Sequence, residues 1–114
     1  MNIEELAERI GARLVIAPAR PAAVDGVGID RVYAGDRMSD LLNEVTDTTL
    51  IVTNLSNSAL VRLIELMDTR AVCLLNGNAP DDAILDAATA HGAALMVSPD
   101  GMFVTCGRLY EALK

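Results

Sequence analysis

Ala71-Val72-Cys73-Leu74-Leu75-Asn76-Gly77-Asn78-Ala79-Pro80-Asp81-Asp82 is an apolar run that stops at Asn76 and resumes as a helical pattern beyond Pro80. It reads as strand, turn, helix. A continuous apolar run bounded by Gly and Pro fits a strand buried on both faces, which occurs almost only in parallel or mixed sheets with helices on both sides. The same signal recurs on either side of it. Apolar runs Leu50 to Val52, Ala71 to Leu75 and Ala94 to Val97 end at Asn54, Asn76 and Ser98, spaced by 22 residues each time. Three strand-helix units with different loop chemistry indicate a small layered sheet rather than a solenoid. The expected fold is α/β, a three-layer α/β/α sandwich with a mainly parallel sheet of four to five strands.

Working outward, Asn2 is placed to cap a first helix, with Glu5 closing a capping box, Ile3, Leu6 and Ile10 on one face and Gly11 as its stop. A strand over Arg13 to Ala17 follows. Pro18, Pro21, Gly26 and Gly28 mark a connection across residues 17–31 that carries no periodic signal. A second strand is expected from Ile29 to Ala34, then a helix with Met38, Leu41, Leu42 and Val45 on one side and Asp36 as its N-cap. The helix after Asn57 has a polar stripe of Ser58, Arg62, Glu65 and Thr69, and Leu60, Val61, Leu63, Ile64, Leu66 and Met67 fill the rest of its circumference. So wide an apolar face exceeds what one sheet covers and suggests a homodimer or a protein partner. A helix from Asp81 to His91 stops before Gly92. The last helix, Gly101 to Leu113, is expected to bury Met102, Phe103, Cys106, Leu109, Tyr110 and Leu113 on one side.

The chain has 114 residues, enough for one domain spanning 1–114. Hydrophobic residues make up 52% but aromatic ones only 3%, so aliphatic side chains must fill the core. The formal charge of -7 is spread along the chain and repels phosphate backbones and anionic lipid, which argues against nucleic acid and membrane as partners. No apolar run approaches the ~20 residues of a membrane span, and the N-terminal segment is acidic and amphipathic, so a cytoplasmic location is expected. Cys73 and Cys106 lack Cys-x-x-Cys or Cys/His spacing and read as small buried hydrophobes.

In an open parallel sheet the loops after the strand C-termini lie on one edge, the default place for a ligand. Gly35, Asp36, Arg37, Thr53, Asn54, Asn76, Gly77, Asn78, Ser98 and Asp100 should converge there. Helix N-termini flanked by Asn, Ser and Thr suit a small anionic or hydroxyl-bearing molecule, with Arg37 as the nearest cation. The same residue types also serve simply to cap helices and shape turns. Catalysis finds little footing. His91, the one histidine, sits at a helix end, Lys114 is the one lysine, and there is no G-x-x-x-x-G-K-[ST] loop. Gly26-Val27-Gly28 lacks the third glycine and helix of a dinucleotide fingerprint. Asp36 and Asp40 read as a cap and a solvated carboxylate rather than a Mg²⁺ site. No enzyme activity, cofactor or metal is expected.

The segments Val32-Tyr33-Ala34-Gly35-Asp36-Arg37-Met38-Ser39-Asp40-Leu41-Leu42, Leu50-Ile51-Val52-Thr53, Leu74-Leu75-Asn76-Gly77-Asn78-Ala79-Pro80 and Cys106-Gly107-Arg108-Leu109-Tyr110 together resemble the DRTGG domain family, in order and spacing, over essentially the whole chain. Asp36, Arg37, Thr53 and Gly77 align with the scattered residues that give the family its name. The resemblance implies a three-layer α/β/α domain, similar to the N-terminal domain of HPr kinase/phosphorylase, acting as a regulatory or ligand-sensing module. It carries over no catalytic domain. Asn76-Gly77-Asn78 stands where relatives often have Thr-Gly-Gly, so a shared ligand does not follow from it.

Overall fold

A computed structural model describes residues 1–18, 28–55, 57–67 and 69–114. The expectations placed on Pro21, Gly26 and Val27 lie outside them. In chain order the elements are α1 (Ile3–Ile10), β1 (Arg13–Ile16), β2 (Arg31–Ala34), α2 (Met38–Glu44), β3 (Thr49–Thr53), α3 (Asn57–Leu66), β4 (Ala71–Leu74), α4 (Asp82–His91), β5 (Ala94–Val97) and α5 (Met102–Leu113). The five strands form one sheet in the order β1-β5-β4-β3-β2.

The expected mainly parallel sheet gives way to a mixed one. β2, β3, β4 and β5 pair in parallel, whereas β1 runs antiparallel to β5. The reason is local. Gly11 ends α1 in the left-handed region at φ 72, its amide and that of Ala12 close on Glu8 and Ala7, and β1 starts two residues later. So short a link turns β1 back along α1, and it reaches the edge of the sheet opposite in direction to β5. Its register slips between Leu14 and Ile16.

Strand residues alternate between two apolar clusters, as the period of two requires. Leu50, Val52, Ala71, Cys73, Ala94 and Met96 join Leu6, Ile10 and Leu109 from α1 and α5. Ile51, Val72, Leu74, Leu95 and Val97 join Leu41, Leu60, Leu63, Ile64, Ile84 and Ala88 from α2, α3 and α4. All five residues of β3 are buried, as are all four of β4 and of β5, which accounts for their near-continuous apolar runs. Each fully buried Leu, Ile or Val contributes about 1.5–3 kcal/mol of transfer free energy, so these three strands and the helix faces packed on them share most of the stabilisation.

Several local expectations hold and several are corrected. Asn2 caps α1, its Oδ1 accepting from the Glu5 amide at 2.8 Å while its Nδ2 donates to Glu5 Oε1 at 2.9 Å. Asp81 caps α4 in the same way, and Gly92 ends it. β1 ends at Ile16, and β2 starts at Arg31 rather than Ile29, because the amide of Ile29 bonds to the carbonyl of Met1 instead of extending the ladder. α2 is capped by Arg37 without a side-chain hydrogen bond, not by Asp36. Thr69 is not on a helical stripe: α3 ends at Leu66, and Thr69 is buried beyond it. The broad apolar surface of α3 is largely absorbed, with Leu60, Leu63 and Ile64 buried, while Leu66 stays 63% exposed. On α5, Leu109 is buried as expected, but Phe103 and Tyr110 point into solvent. Their place on the inner face is taken by Thr105, because the helix docks through its Thr105–Leu109 side.

Candidate functional site

The C-terminal ends of the four parallel strands meet at one edge, and their loops are joined by a continuous run of hydrogen bonds. It starts at Asp36, just past β2. Freed from capping α2, its Oδ1 accepts from Thr53 Oγ1 at 3.0 Å and from the Asn54 amide at 2.7 Å. Thr53 is fully buried, so its hydroxyl needs a partner, and it also accepts from the Leu55 amide at 3.0 Å. Hydrogen bonds to an ionised acceptor are the stronger kind, which makes Asp36 the clasp between the β2 and β3 loops.

The next link runs from β3 to β4. Asn76 Nδ2 donates to Asn54 Oδ1 at 3.4 Å. Asn76 and Gly77 both take positive φ, 60 and 67, a turn that Asn and Gly reach at least cost. That turn aims two successive amides at the following loop: Asn76 N donates to the Asp100 carbonyl at 2.9 Å and Gly77 N to the Ser98 carbonyl at 2.8 Å. The third amide, of Asn78, folds back to the Leu75 carbonyl at 3.2 Å. The backbone of this turn is therefore spent on holding the β4 and β5 loops together. Any ligand here must be met by side chains or by helix N-termini.

Past β5, the hydroxyl of Ser98 lies 2.7 Å from that of Thr105 and accepts from the Asp100 amide at 3.2 Å. Both Ser98 and Thr105 are fully buried. Asp100 Oδ2 is buried without a well-directed hydrogen bond, but Arg108 Nη1 stands 3.3 Å away and supplies the compensating charge. The same nitrogen donates to the Ile10 carbonyl at 3.2 Å, so Arg108 staples the end of α1 to the loop before α5. α5 itself begins at Gly101 with no side-chain cap and no carboxylate in its first turn.

Of the sequence-predicted site residues, Asp36, Thr53, Asn54, Asn76, Gly77, Ser98 and Asp100 thus form one network. Gly35 joins it through its amide, which donates to the Val52 carbonyl at 3.0 Å. Asn78 lines a hollow of about 70 Å³ with Thr53, Asn54, Leu55, Ala79, Pro80 and Ile84. That volume is well below the ~300–1,000 Å³ of a typical ligand pocket, so the edge offers a surface rather than an enclosed cavity. Arg37 stands apart. Its side chain is 82% exposed and, among the described residues, pairs with Asp40 at 3.9 Å. Thr105 and Arg108 escaped the sequence reading. The available signal for Thr105 was a polar residue four positions before Leu109, on the buried stripe of an amphipathic helix; Arg108 left none, since its partners are 8 and 98 residues away.

Beneath this edge lies Cys73, whose thiol is pushed up from 9.0 to about 12, chiefly by burial. Cys106 is shifted upward for the same reason. Neither is thereby primed as a nucleophile. Among the described residues no group of three His, Cys, Asp or Glu side chains could hold a metal ion, and no helix is long and apolar enough to cross a membrane.

No family model matches the sequence, and no curated protein matches it significantly. Among solved structures, the chain is similar to the CBS and DRTGG domains of the regulatory region of Clostridium perfringens pyrophosphatase, a structure complexed with the activator diadenosine tetraphosphate. The TM-score is 0.76 at 14% sequence identity, covering 98% of this chain and 47% of that one. The chain thus spans about half the length of that structure. The likeness is one of fold, and in fold the chain is DRTGG-like.

Proposed function

We propose that this chain is a non-catalytic regulatory module that binds a small anionic metabolite or nucleotide at the C-terminal edge of its parallel strands, and that it works as a cytoplasmic homodimer. We read its two helix groups as the outer layers of an α/β/α sandwich with the sheet between them. The observation that carries the ligand reading is the hydrogen-bonded belt that fixes four loops into one surface. A binding surface is most effective when its groups are held in place before the ligand arrives. Asn54 and Asn78 would supply amide donors and acceptors, the uncapped start of α5 would offer backbone N–H groups, and Arg37 would swing in from the rim. The nucleotide class draws support from the regulatory region of similar fold, which binds a nucleotide activator. A thermal-shift panel of nucleotides and phosphorylated metabolites tests the reading. A true ligand at 100 times its dissociation constant should stabilise the protein by about 2.7 kcal/mol. Asn78→Ala should remove that shift while leaving the unliganded stability within about 0.5 kcal/mol, as for an exposed side chain. A response flat across the panel would discard the ligand.

A second reading, a protein-interaction subunit, rests on the groove of about 1060 Å³ beside α3, which Met38, Ala59, Val61 and the exposed Leu66 line together with Arg62 and Glu65. If a larger protein docks there, a complex purified from the native host should be lost in Leu66→Glu, and its retention would reject that groove.

A further inference from the structure

β2 closes one end of the sheet: it pairs with β3 and with no other described strand. Its backbone groups alternate in direction. Arg31 N donates to the Thr48 carbonyl and, four residues on, Gly35 N donates to the Val52 carbonyl, so the odd-numbered residues of this run bond to β3. The residues between them turn their backbone groups the other way. Val32 and Ala34 therefore direct two N–H and two C=O groups off the edge of the sheet, where none of the described residues meets them. Ala34 is exposed, as such a position requires.

The side chains of the same two residues form one wall of a hollow of about 410 Å³, and Cys106, Leu109, Tyr110 and Leu113 of α5 form the other. That volume falls within the ~300–1,000 Å³ of typical binding pockets, and the lining is chiefly apolar. An open strand rim thus stands beside an apolar cleft between that strand and a helix.

We infer that an extended segment of a partner protein adds to β2 as a further strand and lays an apolar side chain into the hollow against α5. A strand meets both features at once. Its outward N–H and C=O groups recur every second residue, about 6.6 Å apart, the interval that separates Val32 from Ala34. Its alternate side chains fall on the α5 side of the sheet. A small molecule seated in the hollow would leave the four backbone groups to water. A second copy fits less well: pairing two β2 strands antiparallel, so that Val32 bonds to Ala34 of the second copy, sets Asp30 opposite Asp36, like charges on chains that each carry -7. The same charges define the partner. Asp30, Asp36 and Asp40 flank β2 against Arg31 and Arg37, and Lys114 at the hollow is balanced by Glu111 at 3.1 Å. On a chain of net charge -7, this favours a segment whose apolar residue is flanked by Lys or Arg. The rim of β2 is used by neither the loop-edge ligand nor the α3 groove, so its test is separate from theirs.

That test is fluorescence anisotropy of labelled six-residue peptides, lysine at both ends and Val, Leu, Phe or Thr between, titrated with the whole chain. At least one should bind with a micromolar dissociation constant. Methylating the backbone amides of that peptide one at a time should weaken binding roughly tenfold at alternate positions and little at those between. Ala34→Pro removes an outward N–H on an edge strand, where proline is tolerated, and should fold and weaken binding by a similar factor. The bound peptide should also slow the reaction of Cys106 with a thiol reagent, Cys73 being buried. A panel without a binder overturns the proposal, as does a binder indifferent to N-methylation or one that leaves Cys106 as reactive as before. If Ala34→Pro does not fold, the N-methyl series on the unaltered chain decides. A chain that dimerises and loses its dimer in a folded Ala34→Pro overturns the proposal in favour of a second copy.

Discussion

The loop edge above the parallel strands and the outer face of α5 are opposite solutions to the same requirement. At the edge, polar groups are crowded together and satisfy one another: Asp36 with Thr53 and Asn54, Asn76 with Asn54, Ser98 with Thr105. On α5, large aromatic groups stand in water, Phe103 91% and Tyr110 70% exposed. The difference teaches where each region draws its order. Edge residues should matter to folding whether or not a ligand is present, because a buried polar group that loses its partner retains the full cost of desolvation. The α5 aromatics should be nearly silent in folding and reveal themselves only in association.

The largest effect that could break this contrast is at Asp36. Asp36→Ala removes the acceptor for a fully buried Thr53 hydroxyl and for the Asn54 amide. Hydrogen bonds to charged groups are worth about 1.5–3 kcal/mol, so a loss of about 3 kcal/mol in urea denaturation is expected. A loss below about 0.5 kcal/mol would mean that the belt is decoration.

A smaller effect concerns Cys73 beneath the belt. Its thiol has a folded pKa raised from 9.0 to about 12, so the native state favours the protonated form. That contribution is fully present below pH 9 and is lost as pH rises from 9 towards 12. By pH 10.5 the loss should reach about 2 kcal/mol, and Cys73→Ala should flatten that part of the pH dependence. An identical alkaline slope in the variant would assign the loss to other groups.

The smallest expected effect sharpens the other side. Phe103→Ser removes a large apolar side chain from a position already 91% in water, and should change the stability of the dilute monomer by less than about 0.5 kcal/mol. The same type of truncation at a core position such as Leu63 would cost about 2–5 kcal/mol. Should Phe103→Ser cost as much as a core truncation, the ring would have to be packed in the monomer and the contrast would fail.

The central units of the fold were legible because their signals are local and redundant. β3, β4 and β5 announce themselves as apolar runs, and their ends, Asn54, Asn76 and Ser98, fall at corresponding places along the edge. Capping residues such as Asn2 and Asp81 were equally plain, since a cap and the amide it serves are three residues apart. Asp36 misled for an instructive reason. Its position before α2 has the signature of an N-cap, yet its carboxylate reaches 17 and 18 residues along the chain to the next loop. Phe103 misled differently: helical periodicity groups residues into a stripe but cannot say which stripe meets the sheet.

The sequence by itself determined the α/β class, the three buried strands, the helix boundaries set by caps and glycines, and the set of loops that share one edge. All of these follow from spacings of a few residues and from solvent preference. Only the tertiary structure decided that β1 runs antiparallel, that Asp36 clasps β3 rather than α2, that Arg108 joins Ile10 to Asp100, and that α5 turns Thr105 inward and Phe103 outward. Each of these depends on which surfaces meet when the whole chain closes. That choice minimises exposed area and unpaired polar groups over all 114 residues at once, and no local stretch encodes it.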